Sequence, residues 1–293
     1  MQKLQGAMTA LVTPFKNDQL DESTYAKLIQ RQIDNAIDAV VPVGTTGESA
    51  TLSFDEHKRC VQIAIEVCKN TNTKVLAGAG SNNTKESIEL AKYAQDAGAD
   101  GVLCVAPYYN KPNQQGLYEH YMKIANSVEI DVMPYNVPGR TVTDILPDTL
   151  VRLCQDAKNI YSVKEATGSM DRCVEILVKI PDMVVICGDD ITNYPMMANG
   201  GKGCISVTAN ILPKHIADIV HLAMNSDFAG SKKINDSLYS LNRLLFADTN
   251  PIPIKAIMYL AGIMPSLEYR LPLVQPTKEM LKSLEAELKN FDI

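Results

Sequence analysis

Residues 74–107 read KVLAGAGSNNTKESIELAKYAQDAGADGVLCVAP and hold one complete strand–helix–strand unit. KVLAGAG from Lys74 and GVLCVAP from Gly101 are short, nearly continuous apolar runs. Runs of this length suit strands of a parallel sheet covered on both faces. Between them, Asn83 and Glu86 follow the logic of a capping box before SIELAKYAQDAG, and Gly98 closes that helix as a C′ residue.

The unit recurs along the chain. AMTALV from Ala7, AVVPVG from Ala39, DVMPYNVP from Asp131, YSVKEA from Tyr161, VVICGDD from Val184 and GCISVTAN from Gly203 are further strand candidates. After the first run, Tyr25, Leu28, Ile29, Ile33, Ala36 and Ile37 share one stripe of a 3.6-residue repeat. Ser53 and Glu56 form a capping box before HKRCVQIAIEVC. Eight strands alternating with helices over about 225 residues is the arithmetic of a (β/α)8 TIM barrel. A doubly wound open sheet usually has fewer strands, and G-x-G-x-x-G does not follow the first strand. Pro134 is awkward inside the fifth strand because it has no N–H, which puts the local geometry of that strand in question. From Phe228 the strand pattern stops, and SKKINDSLYSLNRLLF, PIPIKAIMYLAG and TKEMLKSLEAELKNF read as helices. The expected organisation is a barrel over residues 1–227 and a helical C-terminal domain over 228–293. With no Gly/Ser linker between them, the helices should pack on the barrel.

Composition narrows the function classes. The chain has 293 residues, 28 Lys+Arg against 34 Asp+Glu and a formal charge of −6. No dense basic stretch is present, which opposes nucleic acid as the main partner. No window reaches the ~18–20 apolar residues of a membrane span. The short apolar run near the N-terminus contains Pro14, lacks a small-residue cleavage site and reads as a strand. Seven cysteines, odd in number and widely spaced without C-x-x-C, fit buried thiols in a reducing cytoplasm better than a disulfide frame or zinc site.

In such barrels chemistry sits at the C-terminal strand ends and in the loops that follow. Lys164 lies inside a strand expected to be buried on both faces. Desolvation disfavours an ammonium, and a neutral amine attacks carbonyls to form Schiff bases. The plainer reading pairs Lys164 with Glu165 or another acid, and position alone leaves both open. Tyr135, at matching depth on the adjacent strand, could relay protons to a forming carbinolamine; read alone, it is a core tyrosine. Thr45 and Thr46, in the Gly-flanked turn GTTGES, offer hydroxyls and backbone N–H groups to a carboxylate, or simply connect strand to helix. Arg140, stiffened by Pro138-Gly139, suits a second carboxylate or a rim salt bridge. His57, His120, His215 and His221 all fall on expected helices, which disfavours a metal-dependent aldolase or hydrolase. Asp189 and Asp190 oppose a phosphorylated substrate and read as caps or hydrogen-bond acceptors.

GTTGES, PYYNKP, YNVPGRT, VKEATG and GDD, in this order and spacing, resemble the pyruvate-dependent class I aldolase/lyase family, most closely its dihydrodipicolinate synthase branch. The resemblance spans essentially the whole chain, C-terminal helices included. It implies that pyruvate forms a Schiff base on Lys164, tautomerises to an enamine and attacks L-aspartate 4-semialdehyde. Neither cofactor nor metal is implied. Tyr135, Thr45 and Tyr109 match the family's proton relay. Thr46 matches the pyruvate-carboxylate grip, Gly188 and Ile205 the pocket lining, and Arg140 the group that binds the semialdehyde carboxylate. The tyrosine matching Tyr109 reaches into a neighbouring subunit, which implies a homo-oligomer, commonly a dimer of dimers. Ser49, Ala50, His57, Asn82, Glu86 and Tyr108 match an allosteric site for L-lysine, with Phe54 standing where several sensitive relatives carry histidine. The alternatives are a pyruvate-releasing sugar-acid aldolase, whose members usually lack an arginine at the place of Arg140, and a non-catalytic barrel, which need not keep Lys164, Tyr135 and Thr45 together.

Overall fold

A computed structural model describes residues 3–292. Eight parallel strands close into a barrel: β1 (Gly6–Ala10), β2 (Ala39–Val41), β3 (Lys74–Gly78), β4 (Gly101–Val105), β5 (Asp131–Asn136), β6 (Ser162–Glu165), β7 (Val184–Cys187) and β8 (Gly203–Ser206). Each strand pairs with its sequence neighbour, and β1 pairs with both β2 and β8. All eight apolar runs of the sequence are therefore strands. Their side chains alternate between two cores. Met8, Leu76, Leu103, Met133, Ile186 and Ile205 fill the barrel interior. Ala7, Val40, Val75, Val102, Val132 and Val185 face the surrounding helices.

The barrel helices are α1 (Glu22–Asp34), α2 (Phe54–Cys68), α3 (Thr84–Ala97), α4 (Gln114–Ala125), α5 (Pro147–Asp156), α6 (Met170–Lys179), α7 (Asn193–Ala198) and α8 (Pro213–Met224). They are followed by α9 (Phe228–Ser237), α10 (Tyr239–Leu245), α11 (Ile252–Leu260) and α12 (Lys278–Leu288). Leu241, Leu245, Ile254, Ile257 and Leu284 of these last helices enter the same apolar layer as the barrel helices.

Two local expectations need correction. The helix carrying the α1 stripe ends at Asp34, and Ala36 takes a left-handed φ of 59° and is exposed, whereas Ile37 is buried beyond the helix end. Gln32, a polar residue within the helix, is buried as well, its carboxamide oxygen accepting from the Thr9 hydroxyl. The reciprocal capping box expected at Asn83 does not form. Asn83 caps the Lys85 N–H, while Glu86 accepts from the Ser81 hydroxyl and the Asn83 side-chain amide. By contrast, the Ser53–Glu56 box is complete. At Pro134, β5 itself runs unbroken from Asp131 to Asn136. Val132 donates toward the β6 side, to the Asn159 carbonyl. Alternation turns the nitrogen of Pro134 the same way, and the β5–β6 ladder begins only at Tyr135. The missing donor thus coincides with a gap in the β5–β6 pairing.

Candidate active site

Lys164 stands beside Tyr135 on β5 and Ile186 on β7 in the strand register. It is 6% exposed, and its ammonium lies 4.1 Å from the centre of the Tyr135 ring. Room for the side chain comes from Gly188: a Cβ there would stand 2.9 Å from Lys164 Cε. Glu165 is not its partner. Neighbouring strand residues point to opposite faces, and the buried Glu165 carboxylate accepts from the Asn136 amide and the Thr167 N–H. The salt-bridge reading that pairs Lys164 with Glu165 is thereby removed. Ile205 lies in the same interior cluster as Tyr135.

The turn after β2 carries Thr45 and Thr46. Thr46 is buried, and its hydroxyl oxygen accepts from the Asn250 amide at 3.0 Å. The Thr13 hydroxyl donates to the Gly47 carbonyl at 2.7 Å and pins the turn to the end of β1. Arg140 projects from the single helical turn Pro138–Thr141 and is exposed, its guanidinium 3.5 Å from the Asn250 carbonyl. Asp189 and Asp190 do act as acceptors. Asp189 caps Ile191, and buried Asp190 accepts from the Val207 and Thr208 N–H groups and the Asn193 amide.

A cavity of about 500 Å3 opens beside this turn. Thr45 and Arg140 line it, together with Ser49, Ala50, His57, Glu86 and Tyr108. Lys164, Tyr135, Gly188 and Ile205 lie off its walls, within the barrel interior. Asn82 stands just outside the lining and donates to the Tyr108 carbonyl at 3.2 Å. The structure thus gathers five members of the second residue set around one cavity and ties the sixth to its rim. Phe54 also lines it, half exposed. Burial holds the His57 imidazole below its ordinary pKa. The neutral ring donates Nε2–H to the Gly78 carbonyl at 2.8 Å, which leaves Nδ1 as an acceptor. Tyr109 departs from the group. Its φ is 71°, it is 89% exposed, and it lines neither the cavity nor the interior around Lys164.

Sequence reasoning missed Asn250 and Lys255, both from the C-terminal region. Lys255 is fully buried on α11 and forms an ion pair with buried Glu48. A single charge inside the apolar run of Ile252–Leu260 was the available signal, since a fully buried lysine requires a partner. Among the described residues, no three His, Cys, Asp or Glu side chains converge as a metal site requires, and no helix is long and apolar enough to cross a membrane.

Comparison with known proteins identifies the family. The chain is 63% identical over 290 residues to the 4-hydroxy-tetrahydrodipicolinate synthase of Campylobacter concisus, covering 99% of this chain and 98% of that protein. It superposes on the dihydrodipicolinate synthase of Acinetobacter baumannii complexed with pyruvate with a TM-score of 0.95 and 40% identity, covering 98% of this chain and 99% of the other. The enzyme of Cyanidioschyzon merolae with lysine bound gives a TM-score of 0.94 and 35% identity over 98% and 97% of the two chains. The model of the dihydrodipicolinate synthetase family matches residues 3–291, and the chain belongs to that family of lyases.

Proposed function

We propose that the chain condenses pyruvate with L-aspartate 4-semialdehyde to 4-hydroxy-tetrahydrodipicolinate, in the diaminopimelate route to lysine, and that L-lysine inhibits it. The observation that carries this reading is Lys164 buried inside a barrel strand, in register with Tyr135 and given space by Gly188. The Lys164 amine adds to the pyruvate ketone. Loss of water gives the protonated imine, which supplies the electron sink for loss of a methyl proton. The resulting enamine attacks the semialdehyde aldehyde; cyclisation and transimination release the product and free the lysine. Tyr135, Thr45 and the Tyr109 of a neighbouring subunit carry protons between these steps. The exposure of Tyr109 away from its own chain's site supports that arrangement and hence a homo-oligomer. Thr46 and the adjoining backbone grip the pyruvate carboxylate. Arg140 takes the semialdehyde carboxylate, and Gly188 and Ile205 line the pocket. No metal and no resident cofactor enter the reaction.

The pyruvate complex of the Acinetobacter relative supports the first substrate, and the lysine-bound Cyanidioschyzon relative supports the inhibitor. In the cavity, Glu86 suits the lysine α-ammonium, Asn82 and the Tyr108 hydroxyl its carboxylate, and the Ser49 carbonyl and His57 Nδ1 its ε-ammonium. The cytoplasm is the expected compartment.

The decisive test is borohydride reduction in the presence of pyruvate, followed by peptide mass mapping. The adduct is expected on Lys164 alone and absent from Lys164→Ala; labelling elsewhere, or nowhere, overturns the mechanism. Activity should fall with added L-lysine and persist in Glu86→Ala. Equal inhibition of both proteins would remove the allosteric assignment.

A further inference from the structure

The turn Gly44–Ser49 is held from behind by the C-terminal region. Glu48 has φ 52° and ψ 36°, a left-handed conformation unusual for a residue with a side chain. Such conformations persist only where their surroundings over-determine them. Its N–H donates to the Thr45 carbonyl, and its own carbonyl accepts from the Thr51 N–H and hydroxyl. Its carboxylate is buried and divided between two partners: Oε1 meets the Lys255 ammonium, and Oε2 accepts from the Arg270 N–H at 3.1 Å. Lys255 sits between two aromatic faces, 4.6 Å from the centre of the Phe15 ring and 5.0 Å from that of Tyr269. The Tyr269 hydroxyl donates to the Ile252 carbonyl and closes that wall onto α11.

This arrangement costs desolvation of two charges, and a buried ion pair is weak evidence for stability by itself. Its directional contacts instead fix the place of one residue. Glu48 lies two residues from Thr46, which the same region holds through Asn250. We infer that Lys255 and Glu48 are positioning residues: their buried pair sets the Gly44–Ser49 turn so that Thr46 and the adjoining backbone meet the pyruvate carboxylate. Both side chains are buried against each other, so they act through the turn. The inference rests on the proposed role of that turn, and the experiment separates the two.

Three variants are compared with the unmodified chain. Lys255→Met leaves a carboxylate buried without its counter-charge. Glu48→Gln combined with Lys255→Met removes both charges and preserves a foldable alternative. Leu284→Ala, in a fully buried position on α12, lowers stability without touching the turn. Hydrogen exchange of the peptide covering residues 44–51 is expected to quicken at least roughly tenfold in Lys255→Met, with the β5 peptide unchanged. KM for pyruvate should rise about tenfold or more while kcat falls less, as for lost positioning of a substrate group. The double variant should regain melting temperature and keep the raised KM. Leu284→Ala should lose melting temperature and keep the normal KM. Exchange in 44–51 that matches the unmodified chain, or a KM change no larger than that of Leu284→Ala at equal loss of stability, overturns the inference. If exchange quickens but the unmodified chain forms no pyruvate adduct, the inference fails in its substrate clause because the proposed function has failed, and the adduct result identifies which.

Discussion

Gly188→Ala asks whether the placement of Lys164 is as tight as the geometry says. The added Cβ would stand 2.7 Å from Ala166 Cβ, 2.9 Å from Lys164 Cε and 3.3 Å from the Glu165 carbonyl. Ordinary contacts between such carbons are about 3.5–4.0 Å, so Lys164 Cε must retreat by roughly 0.6–1 Å. The Gly188 backbone is outside the left-handed region, so the substitution acts through space and not through strain. Overpacking of this kind costs about 1–3 kcal/mol, a fall in Tm of roughly 2–10 °C, which a barrel of this size survives. The catalytic loss should be larger. A displacement near 1 Å can cost about 100-fold, equivalent to about 2.7 kcal/mol of transition-state stabilisation. Circular dichroism should therefore report a folded protein, while kcat/KM for pyruvate and the rate of borohydride trapping both fall about 100-fold. Gly139→Ala is the control at the same mouth, because a Cβ there meets nothing within 4 Å. A folded Gly188→Ala enzyme with unmodified kinetics would refute the placement of the nucleophile.

Other predictions address subunits and pH. Tyr109→Phe should slow turnover by about 10²–10⁴-fold, and mixing it with Lys164→Ala subunits should restore activity through hybrids with one intact site; verified hybrids without recovery would place the whole site in one chain. Burial pushes the His120 imidazole from 6.5 down to about 4, its Nδ1 bonded to the Thr84 hydroxyl and Glu119, Lys85 and Lys123 around the same cleft. Stability from keeping this ring neutral is complete above pH 6.5 and is lost as pH falls through 4, about 3 kcal/mol in all. Denaturant unfolding of His120→Gln should show that much less acid sensitivity, and parallel curves for the two proteins would exclude the assignment. His221 has the opposite sign: its Nε2 bonds Asp38, which also accepts from the Ala7 N–H and raises the imidazole's pKa, with Asp218 and Lys214 nearby. The Tm gap between the unmodified chain and His221→Gln should be widest below pH 6.5 and close as pH rises through the raised pKa; a constant gap would remove the linkage.

What could be read from the chain alone was whatever depends on neighbours in sequence. Apolar runs buried on both faces identify themselves without knowledge of their partners, so all eight strands were legible. The Ser53 cap and the Gly98 stop are local as well. Lys164 stood out because a charge inside such a run contradicts its surroundings. The matching depth of Tyr135 followed from strand position, but the space that Gly188 leaves for Lys164 is a distance across strands. Local grammar failed where a distant contact outweighed it. Gln32 is buried through Thr9, and Glu86 turns to Ser81 instead of completing a cap. The support behind the Thr45–Thr46 turn lay furthest out of reach. Glu48 and Lys255 are separated by 207 residues and meet only when α11 closes against the barrel mouth. Periodicity and capping report local preferences; a buried charge pair across that separation is decided by tertiary packing, which alone determines whether each charge has a partner.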